Sequence, residues 1–183
     1  MAQDLAESKA APKPSLPPRL KSLVTAPITD SFGPYGWEPR ELPWKPPAVV
    51  SVEQAAEARA LIPAFERYLA PPTIPWISGR IATLLTHYYI VDMPKELAGA
   101  ALRDWVDVLG DLPQHAIQEA CLKWLRMESR KRPGPGDIRE LALRIVGDET
   151  KALKRLRIIA DMGGAKPEST GIVTALANRF RSA

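Results

Sequence analysis

Proline sets the first limit on what this chain can fold into. Ten of its nineteen prolines fall within the first fifty residues: Pro12, Pro14, Pro17, Pro18, Pro27, Pro34, Pro39, Pro43, Pro46 and Pro47. Each lacks a backbone donor and pushes the residue before it out of helical conformation. No long helix or strand ladder tolerates that density. Residues 1–50 are therefore predicted to form a largely extended, polyproline-like tail. Aromatic residues interrupt it, with Phe32, Tyr35, Trp37 and Trp44 set among prolines and glycines in SFGPYGWEPRELPWKPP. Two readings compete for them: an extended strap packed back on the body, or a linear segment that docks on a partner. Burying two tryptophans stabilises by on the order of several kcal/mol, which tilts the balance towards the strap.

After Val50 the pattern turns helical. Ser51 and Gln54 make a capping box, and the helix they open carries Ala55, Ala58, Ile62, Phe65 and Leu69 on one stripe. Pro63 predicts a kink or break near Ala60. A helix from about Pro75 to Ile90 buries Ile77, Ile81, Leu84, Leu85 and Tyr88 at helical spacing. After Pro94 the stripe is Ala98, Ala101, Leu102, Trp105 and Leu109, stopped by Gly110. The stretch from Leu112 to Ile145 then holds a helix with Ile117, Ala120, Cys121, Trp124 and Leu125 inward, a Pro-Gly-Pro-Gly turn, and a helix from Pro135 with Asp137 in its first turn. That helix buries Ile138, Leu141, Ala142 and Ile145, continues through a charged run, and ends at Gly163-Gly164. A short terminal helix has Ile172, Leu176 and Phe180 as its seam.

No segment alternates with period two over a convincing length. The expected fold is all-α, a bundle of five or six short antiparallel helices preceded by the tail. Three regions follow: 1–50 as tail with an aromatic docking segment, 51–147 as helical core, and 148–183 as charged and terminal helices.

The chemistry-bearing residues are few. His87 and His115 are the only histidines, and no metal-ligand spacing surrounds them. Cys121, the single cysteine, lies on an apolar face and reads as a buried thiol. The Gly134-Pro135-Gly136 run lacks the strand and the Lys-Ser/Thr pair of a phosphate loop. These patterns predict a non-enzymatic protein without cofactor or metal. The absence of a long apolar run and of a signal-like amino terminus predicts a cytoplasmic location with no membrane partner. The oligomeric state is not legible.

The formal charge is +4. It clusters: Lys123, Arg126, Arg130, Lys131 and Arg132 lie within ten residues beside a helix start, with Arg139 one turn further on. Guanidinium groups next to free helix amides suit phosphate, so this basic collar is a candidate nucleic-acid contact. The competing reading is a solvated helix end, where cations are favoured by the dipole. A second group, Lys151, Lys154, Arg155 and Arg157, fits a solvated face better.

Trp105, Leu109, Leu112, Pro113, Ile117, Ala120 and Trp124, followed by Pro133, Pro135, Asp137 and Ile138, form a pattern that resembles a small helical domain of the bacteriophage replicative helicase loader/inhibitor family. The resemblance spans roughly residues 77–145. It implies an adaptor that binds a hexameric replicative helicase, holds it inactive away from the origin and helps deliver it to DNA. In that family a flexible C-terminal segment contacts the helicase, whereas here the long extended segment is N-terminal. The expected partner contacts are therefore the aromatic segment, Phe32, Tyr35, Trp37 and Trp44, or the final seam, Ile172, Leu176 and Phe180. Two further functions fit the same residues: a DNA-binding accessory protein using the basic collar, and a structural or assembly protein of a phage particle.

Overall fold

The computed structural model describes residues 11–88, 94–127 and 131–163. Among them the order is α1 (Pro18–Val24), β1 (Ile28–Gly33), β2 (Gly36–Glu41), α2 (Val52–Tyr68), α3 (Ile74–Leu85), α4 (Lys95–Leu109), α5 (Gln114–Arg126) and α6 (Pro135–Met162). The fold is mostly helical, and the expectation of an all-α chain with an extended tail needs correcting in its first fifty residues. These contain a helix and a two-stranded antiparallel sheet. The prolines sit where each element tolerates them. Pro18 occupies the first turn of α1, where its missing N–H has no intrahelical partner to lose, and Pro34 takes a corner of the β1–β2 turn. The helices are also not uniformly short, because α6 runs unbroken for 28 residues through Gly147.

Contacts divide the chain into two compact units. The first lies within Met1–Ser15 and Leu61–Lys154, the second within Leu16–Ala60 and Arg155–Ala183. Both α2 and α6 contribute to each. Pro63 does not break α2, which stays helical from Val52 to Tyr68. Three residues before that proline, at Ala60–Leu61, the chain passes from one unit to the other.

The first unit buries the inward stripes of four helices. Ile77, Ile81 and Leu84 of α3 meet Trp105 and Leu109 of α4, Ile117, Ala120 and Cys121 of α5, and Ile138, Ala142 and Val146 of α6. Full burial of a Leu or Ile side chain stabilises by about 1.5–3 kcal/mol, so this cluster is the main source of the unit's stability. Arg139 ties the turn after α4 to α6, with Nη1 and Nη2 donating to Asp111 at 2.5 and 2.8 Å and Nη1 also to the Val108 carbonyl.

In the second unit the buried side chains are Leu20, Val24 and Ala26 around α1, Ala55 and Ala58 of α2, and Leu156, Ile159 and Ala160 of α6. Small residues let the backbones approach closely. A Cβ added at Gly163 would stand 1.8 Å from the Ala55 Cβ, so no larger residue fits there unless the two segments move apart. Arg59 donates to the Ala160 carbonyl at 2.6 Å, fastening α2 to α6. The capping box closes as its sequence requires: the Gln54 amide donates to Ser51 Oγ at 3.2 Å, and the Ser51 N–H donates to Gln54 Oε1 at 2.9 Å.

Candidate functional site

The hairpin of β1 and β2 is the feature that stands out. Its register pairs Ile28 with Glu41, Asp30 with Pro39, Phe32 with Trp37 and Gly33 with Gly36 around the two-residue corner Pro34-Tyr35. Proline at the corner presets φ, and Gly36 carries the positive φ of 115° that lets the chain re-enter the ladder. Successive side chains on a strand point to opposite faces. Ile28, Asp30, Phe32, Trp37, Pro39 and Glu41 therefore share one face, and Thr29, Ser31, Glu38 and Arg40 share the other.

An amphipathic hairpin ordinarily packs its apolar face against a core. Here Ile28, Phe32 and Trp37 are 68, 76 and 74 % exposed, and Tyr35 at the tip is 95 % exposed. The Phe32 and Trp37 rings make an edge-to-face pair with centroids 5.7 Å apart, which shields little of either. Phe32, Tyr35 and Trp37 thus leave apolar surface in solvent at the tip, while Asp30, Pro39 and Glu41 share the Phe32–Trp37 face towards the base.

The base of the hairpin is anchored. The Leu42 N–H donates to the Pro27 carbonyl at 2.8 Å. Beyond it Trp44 folds back, its indole Nε1 donating to the Leu23 carbonyl at 2.8 Å while the Arg155 guanidinium lies over its ring at 5.3 Å. Arg155 also donates to the Val24 carbonyl at 2.7 Å and reaches Glu41 at 3.5 Å. The four aromatic residues predicted as one docking segment thus separate. Trp44 is tied into the second unit as a strap, while Phe32, Tyr35 and Trp37 are presented to solvent. Ile172, Leu176 and Phe180 lie outside the described residues. A groove of about 600 Å³ opens at the hairpin base, lined by Leu23, Pro27, Leu42, Pro43, Trp44 and Pro47.

The basic collar is only partly a collar. Lys123 and Arg126 are exposed in the last turn of α5, and Lys131 and Arg132 are exposed beyond it; Arg130 lies outside the described residues. Arg139 does not belong with them, because its guanidinium is engaged by Asp111 and the Val108 carbonyl and holds the Asp111 carboxyl below its ordinary range. The helix start that was to offer free amides also carries its own anion. Asp137 Oδ2 accepts from the Gly134 N–H at 2.8 Å, placing a carboxylate where a phosphate would sit. In the second basic group Arg155 is structural, and Lys151 lies 4.0 Å from Asp148.

One polar cluster was missed. Glu149 is the only buried charged residue among those described. Its Oε1 pairs with the Lys13 ammonium, and its Oε2 is buried without a hydrogen-bond partner. Burial pushes its carboxyl up, but the Lys13 hydrogen bond and charge outweigh that and leave it below the ordinary value. His115, half-buried and stacked on Tyr68 at 4.1 Å, is pushed down by burial, with Glu149 and Glu119 opposing. Burial likewise raises the Tyr68 hydroxyl and the Cys121 thiol. The signal was present: Glu149 follows Ile138, Ala142 and Ile145 at inward spacing on α6.

Among the described residues no group of three or more His, Cys, Asp or Glu could hold a metal ion, and no helix is long and apolar enough to cross a membrane. No protein-family model, curated protein or solved structure matches this chain.

Proposed function

We propose that the chain is a non-enzymatic adaptor that docks on a partner protein through the apolar face of the β1–β2 hairpin, and that the partner is a phage-type replicative helicase whose loading or inhibition it governs. The observation that carries the docking role is the outward apolar face of a hairpin that, among the described residues, is anchored at its base. Phe32, Tyr35 and Trp37 are exposed together while Trp44, a few residues on, is pinned. The helicase is the partner implied by the resemblance of residues 77–145 to the loader/inhibitor family. That family contacts its helicase through a flexible C-terminal segment, so no helicase-binding residue is carried over from it, and the hairpin is proposed on its exposure alone.

The test is retention of the co-encoded replicative helicase by the immobilised full chain and by its Phe32→Ala/Trp37→Ala variant. Aromatic anchors at the centre of an interface typically contribute 2 kcal/mol or more, so the variant is expected to bind about 30-fold more weakly or worse. Truncation at Ser51 is a poorer test. It removes α1 and Trp44, on which the fold of the second unit depends. A wild-type chain that fails to retain the helicase removes the named partner; equal binding by the double variant removes the hairpin.

A second reading is direct DNA contact, favoured by the exposure of Lys123, Arg126, Lys131 and Arg132. It predicts a gel shift with a steep salt dependence, which substitution of these four residues abolishes. The Asp137 cap counts against it.

A further inference from the structure

The hairpin's two edges are not equivalent. The Leu42-to-Pro27 bond and the shared register make Thr29–Arg40, Ser31–Glu38 and Gly33–Gly36 the hydrogen-bonded pairs of the ladder. The backbone groups of the alternate pairs, Ile28–Glu41, Asp30–Pro39 and Phe32–Trp37, consequently point away from the partner strand. Along β2 that outer row is interrupted, because Pro39 at its centre has no N–H to offer. This is the position where a strand tolerates proline, and it blocks strand addition on that side. Along β1 the outer row is complete: Ile28, Asp30 and Phe32 each present an N–H and a carbonyl. Among the described residues β1 is paired only with β2.

We propose that the β1 edge is a strand-addition site that takes an extended segment of a partner protein whose side chains read apolar, basic, apolar against Ile28, Asp30 and Phe32. Main-chain bonds to the three outward amides and carbonyls supply the affinity, and the side chains on the apolar face supply the choice. Residues placed opposite Ile28 and Phe32 extend the exposed apolar patch. The residue opposite Asp30 faces an exposed carboxylate that makes no ion pair among the described residues, so Lys or Arg is favoured there.

The same geometry disfavours a second copy of this chain as occupant. Full overlap of two β1 edges about a two-fold axis sets Ile28 against Phe32, but it also sets Asp30 against Asp30, and like charges directly opposite destabilise a ladder. Asp30 therefore directs the edge away from self-pairing and towards a basic strand.

This inference rests on reading the hairpin as a docking element, but it can be tested without the helicase. Isotope-labelled full-length chain would be titrated with the peptide acetyl-Thr-Val-Thr-Lys-Thr-Val-Thr-amide and with its twin carrying Glu in place of Lys, with amide shifts and exchange rates as the readout. The Lys peptide is expected to slow exchange at the amides of Ile28, Asp30 and Phe32, and to bind roughly five-fold tighter than the Glu peptide. Asp30→Lys should reverse the preference and Asp30→Asn should abolish it. Equal binding of the two peptides, no response to either, or protection at Trp37 and Glu41 instead would overturn the proposal. So would a concentration-dependent dimer that protects the β1 amides without peptide, which would give the edge to a second copy. Loss of helicase binding with peptide selectivity intact would remove the named partner and leave the edge as proposed.

Discussion

Replacing Arg155 with alanine tests whether the proline-rich leader is folded structure. The side chain is 15 % exposed and makes three contacts within the second unit: a hydrogen bond to the Val24 carbonyl, the stack over Trp44, and the 3.5 Å approach to Glu41. A charge-assisted hydrogen bond of this kind contributes about 1.5–3 kcal/mol and a cation–π contact about 0.5–1 kcal/mol, whereas the half-exposed Glu41 pair contributes about 0–1 kcal/mol. Their sum, roughly 2–5 kcal/mol, is a large fraction of the stability of a domain this size. In urea, Arg155→Ala is expected to lower the unfolding midpoint by about 1–2 M, with an earlier red shift of tryptophan emission that is lost in a Trp44→Phe background. Arg155→Lys should recover less than half, since a point charge cannot reproduce both the stack and the directed bond. A loss below about 0.5 kcal/mol, or an unchanged emission transition, would refute the reasoning, since a tail hanging in solvent would not register the substitution.

Other outcomes follow from the same geometry. Gly163→Ala should destabilise the second unit by about 1–3 kcal/mol, because its methyl would overlap that of Ala55; thermal unfolding measures this. Arg139→Ala should cost roughly 1–3 kcal/mol by leaving the Val108 carbonyl and Asp111 without their donor, and a gel shift should show DNA affinity no weaker than wild type beyond the loss of one charge. For Lys13 the outcome depends on pH. Glu149 is held below its ordinary value of 4.5 in the folded chain, so the stability it contributes is present above pH 4.5 and is lost as pH falls through the folded value. Lys13→Ala removes the strongest of the groups that lower it and leaves burial, which raises it, less opposed. The acid-unfolding midpoint should therefore move to higher pH. His115, depressed below 6.5 chiefly by burial and to a lesser degree by Lys13, adds a loss of stability as pH falls below 6.5; Lys13→Ala removes that minor part, so the variant should lose slightly less there and more in the acidic window of Glu149.

The helical part of the fold was legible because each helix announces itself locally. The Ser51–Gln54 box, the stop at Gly110 and the start at Pro135 are single-residue decisions made by backbone geometry, and the inward stripes need only spacing. The hairpin was not legible for a definite physical reason. Its apolar and polar residues do alternate, but Asp30, Pro39 and Glu41 share the apolar face, and Pro39 reads as a strand breaker unless its N–H position is known to face outward. Only the register supplies that. Trp44 and Phe32 looked alike as aromatics among prolines. What separates them is Arg155, over a hundred residues away, which no local pattern connects to either. Glu149 was concealed differently: it lies within a strongly charged run, and only its phase on α6 marks it as inward. The candidate docking residues were therefore visible in kind, and their division into anchor and exposed face was not.

The central claim is that the exposed aromatic face of the hairpin is the contact surface and the rest of the leader is its support. The most direct measurement is the affinity of the folded Trp37→Ala variant for the replicative helicase, beside wild type and Trp44→Phe. The account predicts a loss of about 30-fold or more for Trp37→Ala with unchanged unfolding of the chain, and wild-type affinity for Trp44→Phe wherever that variant stays folded. Wild-type affinity in Trp37→Ala would contradict it.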